Sequence, residues 1–185
     1  MSSLGRIGKY ELLKSLAVGG MAQIYLARQT GMQDFEKVVV IKKILPHLAS
    51  QERFVQMFLD EARLAARFTH PNIVQIYDLG QDSDAFYIAM EYVHGEDIKS
   101  IVRRCAKLKR RIPIEHVVKI FSGVLDGLNY AHSQKLLDDS MSGVVHRDVS
   151  PHNILVSFQG AVKLVTQTIN DLYFVLNVRN LSLTP

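Results

Sequence analysis

One eight-residue stretch decides the fold of this chain: His146-Arg147-Asp148-Val149-Ser150-Pro151-His152-Asn153. It places a carboxylate and an amide in one short loop, and the apolar run at residues 154–156 that follows predicts a strand directly after it. A carboxylate can accept a proton, and an amide oxygen can coordinate a hard cation. The spacing therefore indicates a catalytic loop that holds a proton acceptor beside a metal ligand.

The bulk composition is typical of a soluble globular protein. The 185 residues are 48% apolar and 22% charged, which allows one sizeable core or two small lobes. Much of the net charge of +4 comes from basic residues between Lys99 and Arg111. We interpret this run as a solvated helix face, with a docking patch for an acidic partner as the alternative. Aromatic residues are not interleaved with it, so no nucleic-acid partner is expected.

Cysteine content and hydropathy predict a cytoplasmic location. Cys105 is the single cysteine, which excludes an intrachain disulfide and fits a reducing compartment. Residues 1–14 lack the uninterrupted apolar core of a signal peptide. Polar residues interrupt the apolar tract at residues 161–178, so no membrane segment is expected in this chain.

Hydrophobic periodicity predicts strands with one helix, followed by a mainly helical part. The expected strands are residues 10–16, 24–28, 37–43, 73–79, 86–91, 154–157 and 161–165. The expected helices are residues 51–68, a basic segment near 99–111, and residues 114–132. This order indicates an α+β protein of two lobes joined near residues 91–95.

Two charged residues occupy apolar faces. Alternation along residues 37–43 puts Lys42 on a face with Val38 and Val40, whereas Lys43 points to the opposite side. Glu61 lies in the apolar stripe of the helix at residues 51–68. A carboxylate buried there needs a partner. The alternative is a glutamate at the edge of the stripe that reaches water.

Over residues 10–165 the chain resembles Hanks-type serine/threonine protein kinases of the kind found in bacteria. The opening stretch is similar to their catalytic loop H-R-D-x-x-x-x-N, and residues 39–42, Val-Val-Ile-Lys, resemble V-A-I-K. The glycine pattern G-x-G-x-x-G appears as Ala17-x-Gly19-x-x-Ala22. The resemblance implies a protein-kinase-like bilobal fold with a complete N-lobe, an antiparallel sheet plus one helix, and an incomplete, mainly helical C-lobe.

The resemblance also implies the catalytic roles. Lys42 would hold the α- and β-phosphates of ATP, and Glu61 would pair with Lys42. Asp148 would accept the proton of the substrate hydroxyl, and Asn153 would bind Mg²⁺. The implied partners are ATP and a protein substrate or partner protein.

By the same resemblance, residues from both lobes would bind ATP. Met90 would guard the back of the adenine pocket, and the backbone of residues 91–93 would hydrogen-bond the ring. The expected nucleotide-binding residues are Ala17, Val18, Gly19, Gly20, Met21, Ala22, Ile24, Val40, Lys42, Met90, Glu91, Val93 and Leu155. The implied divisions are a leader at 1–9, an N-lobe at 10–91, a hinge at 92–95, a partial C-lobe at 96–165 and an unrelated tail at 166–185.

Besides the glycine turn, the chain departs from the kinase pattern in three places. Val40 replaces the usual alanine, and Ser150 stands where serine/threonine kinases usually have a lysine. Thr166-Gln167-Thr168 replaces Asp-Phe-Gly, so the second carboxylate that binds magnesium is missing.

These departures lead to competing hypotheses about activity. We expect a truncated or frameshifted kinase that is inactive. The alternatives are a pseudokinase that binds nucleotide or a partner, and an active kinase with unconventional metal ligation. The broad apolar face at residues 114–132 should be partly exposed, or covered by the apolar residues 172–176, because the kinase helices that would cover it are absent.

Overall fold

The computed structural model describes residues 3–32, 35–134 and 149–165. Asp148 and the tail from residue 166 lie outside the described residues. In chain order the elements are β1 (Arg6–Ile7), β2 (Tyr10–Val18), β3 (Ala22–Thr30), β4 (Glu36–Ile44), α1 (Pro46–Ala49), α2 (Glu52–Ala65), β5 (Ile76–Asp82), β6 (Ala85–Glu91), β7 (Gly95–Asp97), α3 (Ile98–Lys107), α4 (Ile114–Ser133), β8 (Ile154–Ser157) and β9 (Val162–Leu164).

The first lobe is an antiparallel six-stranded sheet in the order β1-β2-β3-β4-β6-β5. The valine-rich strand β4 lies inside the sheet, where Val39, Val40 and Ile41 are each 0% exposed. β-Branched side chains pack well on such a pleated surface. The predicted N-lobe of a sheet and one long helix is confirmed, and a short helix, α1, precedes α2.

Alternation along β4 divides the apolar residues of this lobe between the two faces of the sheet. Val39 and Ile41 join one buried cluster, whereas Val40 joins another cluster that includes Phe58 and Ala62 of α2. Helix α2 therefore packs on the face that also carries Lys42, which is how the fold brings this lysine to Glu61.

The sheet begins within the segment expected to be a leader. Strand β1 pairs with β2, and Ile7 is only 2% exposed. The Gly8 backbone N–H also donates to the Asp82 carboxylate at 2.6 Å. Residues 6–8 therefore contribute to the core of the first lobe.

The predicted linker after residue 91 contains a strand, β7, that pairs with β8 in a second sheet of order β7-β8-β9. Gly95 is required at this crossing, because a Cβ there would collide with the Val156 carbonyl oxygen. Strand β7 follows the first lobe in the chain, and β8 follows the catalytic loop. Their close pairing therefore holds these two segments together.

Residues 72–75 connect the two sheets, so β5 starts at Ile76 and not at residue 73 as predicted. The Val74 N–H donates to the Leu164 carbonyl at 2.9 Å, and the Leu164 N–H donates to the Asn72 carbonyl at 2.8 Å. The start of the apolar run thus pairs with β9 and only its end pairs with β6. Alternation alone cannot distinguish these two partners.

Helix α4 lies against β9 on one side only. Gly123 permits the approach, since a Cβ there would lie 2.9 Å from the Asn72 amide nitrogen and 3.0 Å from Val162. A stripe on the other side is more than 60% exposed and consists of Ile114, Val118, Phe121 and Leu125. This exposure agrees with one of the two outcomes expected for the helix, and the other, cover by residues 172–176, lies outside the described residues. No helix in the described part of the chain has the length and apolarity needed to cross a membrane.

The exposed α4 stripe predicts that the chain binds an apolar dye such as ANS. Replacing Phe121 and Leu125 by serine should reduce the dye fluorescence markedly and leave thermal stability nearly unchanged, because exposed side chains contribute little to folding. A matched control, Val124→Ser, alters the buried side of the same helix and should lower the melting temperature. Absence of dye binding by the unaltered chain would contradict this prediction.

Candidate active site

A buried ion pair joins β4 to α2. Lys42 Nζ lies 3.2 Å from Glu61 Oε1, and each side chain is 6% exposed. The Lys42 ammonium also lies 5.7 Å from the centre of the Phe58 ring. Partnered burial is necessary here, because either charge alone would lose its hydration without compensation. The pair supplies the partner that the helix pattern required for Glu61.

The second carboxylate oxygen of this pair keeps an open acceptor position. Within the described residues, Glu61 Oε2 is buried and accepts no hydrogen bond. A buried acceptor without a donor costs free energy, and such groups recur at sites that do chemistry. The arrangement suits a site in which one carboxylate oxygen holds the lysine and the other can accept another donor.

The end of the catalytic loop is tied to β9. Asn153 is 2% exposed, its N–H donates to the Ser150 carbonyl at 2.9 Å, and its carbonyl accepts from the Val165 N–H at 2.8 Å. The residue predicted to bind magnesium is therefore held beside the strand that leads to residues 166–168. The roles predicted for Asp148 and for the substituted Asp-Phe-Gly segment fall outside the described residues.

Helix α3 contacts the same loop. Asp97 begins the helix by accepting the Ser100 N–H at 2.8 Å. The Lys99 N–H donates to the Pro151 carbonyl at 3.2 Å, and Lys99 Nζ lies 2.7 Å from His152 Nε2. The sequence indicated a solvated basic helix face here, with a docking patch as the alternative. All seven basic residues of the run are exposed, and the first of them, Lys99, also contacts the catalytic loop.

The side chains expected to surround adenine lie together. A single buried cluster contains Ile24, Val40, Met90, Val93 and Leu155, and none of them is more than 6% exposed. Leu155 belongs to the second sheet, whereas Ile24, Val40 and Met90 belong to the first. The cluster therefore spans the junction between the two sheets. Because these side chains are buried, an entering ring would have to separate them.

The glycine turn lies at the edge of this cluster. Its backbone closes with the Gly19 N–H donating to the Ala22 carbonyl at 2.9 Å. Ala17 and Met21 pack against the cluster, whereas Val18 and Gly20 are exposed. This places an exposed, glycine-containing turn beside the apolar cluster, where its N–H groups could approach phosphates.

Glu91, the last residue of β6, forms an ion pair that the sequence did not reveal. Lys163 Nζ lies 2.8 Å from Glu91 Oε2, and the same oxygen accepts the Gln75 N–H at 3.1 Å. The only sequence pattern that pointed to this pair is a lysine between two apolar residues, Val162 and Leu164, which the structure shows to be buried. Next to Glu91 in the chain, burial raises the pKa of the Tyr92 phenol.

Metal ligation is incomplete among the described residues. They contain no group of three or more histidine, cysteine, aspartate or glutamate side chains that could hold a metal ion. The resemblance implies that Asn153, which is 2% exposed, would provide one oxygen. The sequence has no carboxylate at residues 166–168 to provide the second.

Comparison with known sequences places the chain in a family. The protein kinase domain model matches residues 10–166. A tyrosine-protein kinase of Myxococcus xanthus, MasK, is 44% identical over 158 residues, which are 85% of this chain and 24% of the relative. The serine/threonine-protein kinase PrkC of Bacillus subtilis is 34% identical over 157 residues, 85% of this chain and 22% of the relative. The chain thus spans about a quarter of the length of these curated relatives.

Solved structures show the same fold. The kinase domain of PknI from Mycobacterium tuberculosis superposes with a TM-score of 0.64 at 26% sequence identity. The superposition covers 90% of this chain and 60% of the PknI kinase-domain chain. The family match, the fold and the order of the motifs agree. The chain belongs to the protein kinase family and is similar to Hanks-type kinases of bacteria.

Proposed function

We propose that this chain binds ATP at the junction of its two sheets as part of a protein serine/threonine kinase. The observation that carries the proposal is the buried Lys42–Glu61 ion pair, because it keeps a desolvation cost that a hydrophobic pair of similar volume would avoid. The serine/threonine class is supported by the name of PrkC, whereas the name of MasK favours tyrosine.

Each of these residues would either position the nucleotide and substrate or neutralise the charge of the phosphates. Lys42 would neutralise the α- and β-phosphates while Glu61 holds the ammonium in place. The turn at residues 17–22 would cover the phosphates, and the buried cluster would enclose the adenine. Asn153 would bind Mg²⁺, and Asp148 would accept the proton of a protein hydroxyl. When bound, Mg²⁺ neutralises charge on the transferred phosphoryl group.

The magnesium ligands limit what this sequence can catalyse. The residues proposed to bind nucleotide would suit ATP, but no carboxylate stands where the family's second metal ligand belongs. We therefore propose that this 185-residue chain retains nucleotide binding and transfers no phosphoryl group. A pseudokinase-type module that binds nucleotide or a partner is the second candidate, and the same retained Lys42–Glu61 pair favours it.

Titration with ATP, with and without Mg²⁺, tests the binding proposal. At a free concentration one hundred times the Kd, ATP should raise the free energy of unfolding by about 2.7 kcal/mol. Urea denaturation at several ATP concentrations measures this change. No stabilisation at millimolar ATP would overturn the binding proposal.

A phosphotransfer assay tests the proposed inactivity. Incubation with labelled ATP and a generic protein substrate should give no transfer above background. Transfer that disappears in Asp148→Asn would show that the chain is an active kinase with other metal ligands. Transfer that persists in that variant would come from a contaminant.

A further inference from the structure

The hinge glutamate is held from two directions. Its carboxylate oxygen Oε2 lies 2.8 Å from Lys163 Nζ of β9 and 3.1 Å from the backbone nitrogen of Gln75. Its own N–H donates to the Gln75 carbonyl at 2.8 Å. The Lys163 and Glu91 side chains are 17% and 22% exposed, so solvent screens this pair less than a surface ion pair.

The hydrogen bonds around this pair connect Glu91 to β8, the strand that carries Leu155 of the expected nucleotide site. The segment at residues 72–75 bonds to Glu91 at one end and to β9 at the other, where Asn72 Nδ2 donates to the Val162 carbonyl at 2.9 Å. Strand β9 in turn pairs with β8, with Lys163 opposite Leu155. Lys163 therefore lies on the strand next to Leu155, which would form the lower side of the adenine pocket, and its ammonium contacts the Glu91 carboxylate.

We propose that Lys163 is a positioning residue for nucleotide binding, which holds the hinge backbone at residues 91–93 through the Glu91 carboxylate. This inference rests on the proposed function of ATP binding. The backbone of residues 91–93 would bond the adenine, so its orientation affects the base more than the phosphates. Holding that backbone before binding reduces the ordering cost when the base arrives. The ion pair thereby favours adenine over a base with a different hydrogen-bonding edge.

The test compares ATP and GTP binding to Lys163→Met, measured by displacement of a fluorescent adenine nucleotide from the full 185-residue chain. ATP affinity should fall about fivefold, as expected for loss of a partly buried ion pair, while GTP affinity changes little. Lys163→Arg retains the charge and should restore most of the ATP affinity. Glu91→Gln should resemble Lys163→Met, and the double variant should be no weaker than either single variant.

A control separates positioning from general destabilisation. Lys119→Met removes an exposed lysine of α4 and should leave both affinities unchanged. Equal losses of ATP and GTP affinity in Lys163→Met would overturn the inference, as would an unchanged ATP affinity. Failure of the unaltered chain to bind ATP would instead overturn the proposed function. If Lys163→Met does not fold, Glu91→Gln with the same two nucleotides decides the matter.

Discussion

Replacing Glu61 alone by leucine is expected to lower the free energy of unfolding by about 3–5 kcal/mol. The Lys42 ammonium would then remain buried without its carboxylate partner, because both side chains are 6% exposed. Replacing both residues, as Lys42→Met with Glu61→Leu, removes the desolvation cost of both charges. That double variant should be about as stable as the unaltered chain, or more stable. Urea denaturation measures both changes.

The adjacent carboxylate on α2 provides a matched control. Asp60 pairs with Arg63 at 3.0 Å, but the two side chains are 59% and 61% exposed. Asp60→Leu should therefore change stability by less than about 1 kcal/mol. Should Glu61→Leu prove too unstable to study, Glu61→Gln offers a milder loss of charge at the same position. Equal effects at Asp60 and Glu61 would show that burial of the pair does not govern stability.

The second large effect concerns ATP. In the Lys42→Met/Glu61→Leu double variant, the stabilisation by ATP should disappear, a loss of about 2.7 kcal/mol under conditions that give one-hundredfold saturation of the unaltered chain. The reason is that the ammonium expected to neutralise the phosphates is gone, while the unfavourable burial of a single charge is avoided. Denaturation curves with and without ATP measure the loss.

Lys43 is the control for this experiment. It follows Lys42 on β4, so its side chain points to the other face of the sheet. Lys43→Met removes the same charge from the same strand and should preserve the stabilisation by ATP. A response to ATP that survives in the double variant would contradict the role proposed for Lys42, and its loss in Lys43→Met would indicate a nonspecific charge effect.

Local sequence patterns predicted most elements near the site. The period of two placed Lys42 on the apolar face of β4, and the helical stripe placed Glu61 on the packed side of α2. Each pattern depends only on residues that are close together in the chain. A charge buried on either element needs an opposite charge as its partner. The two residues are 19 positions apart and meet at 3.2 Å. Periodicity worked here because the buried faces of both elements are continuous.

The connector at residues 72–75 shows where local patterns fail. Its apolar residues fit a strand, and the sequence assigned them to the strand that pairs with β6. The structure instead pairs Val74 with Leu164 across 90 positions of the chain. Strand β7 was missed for a similar reason, since three residues that contain a glycine carry no periodic signal.

By itself, the sequence determined the family, the order of the longer elements and the lack of a carboxylate at residues 166–168. These properties follow from motifs and short periods, which depend on near neighbours. Only the tertiary structure decided that Lys163 reaches Glu91 over 72 positions and that Lys99 lies at the catalytic loop. The first contact depends on the pairing of β9 with the connector, and the second on the pairing of β7 with β8. Both pairings join segments that are distant in the chain.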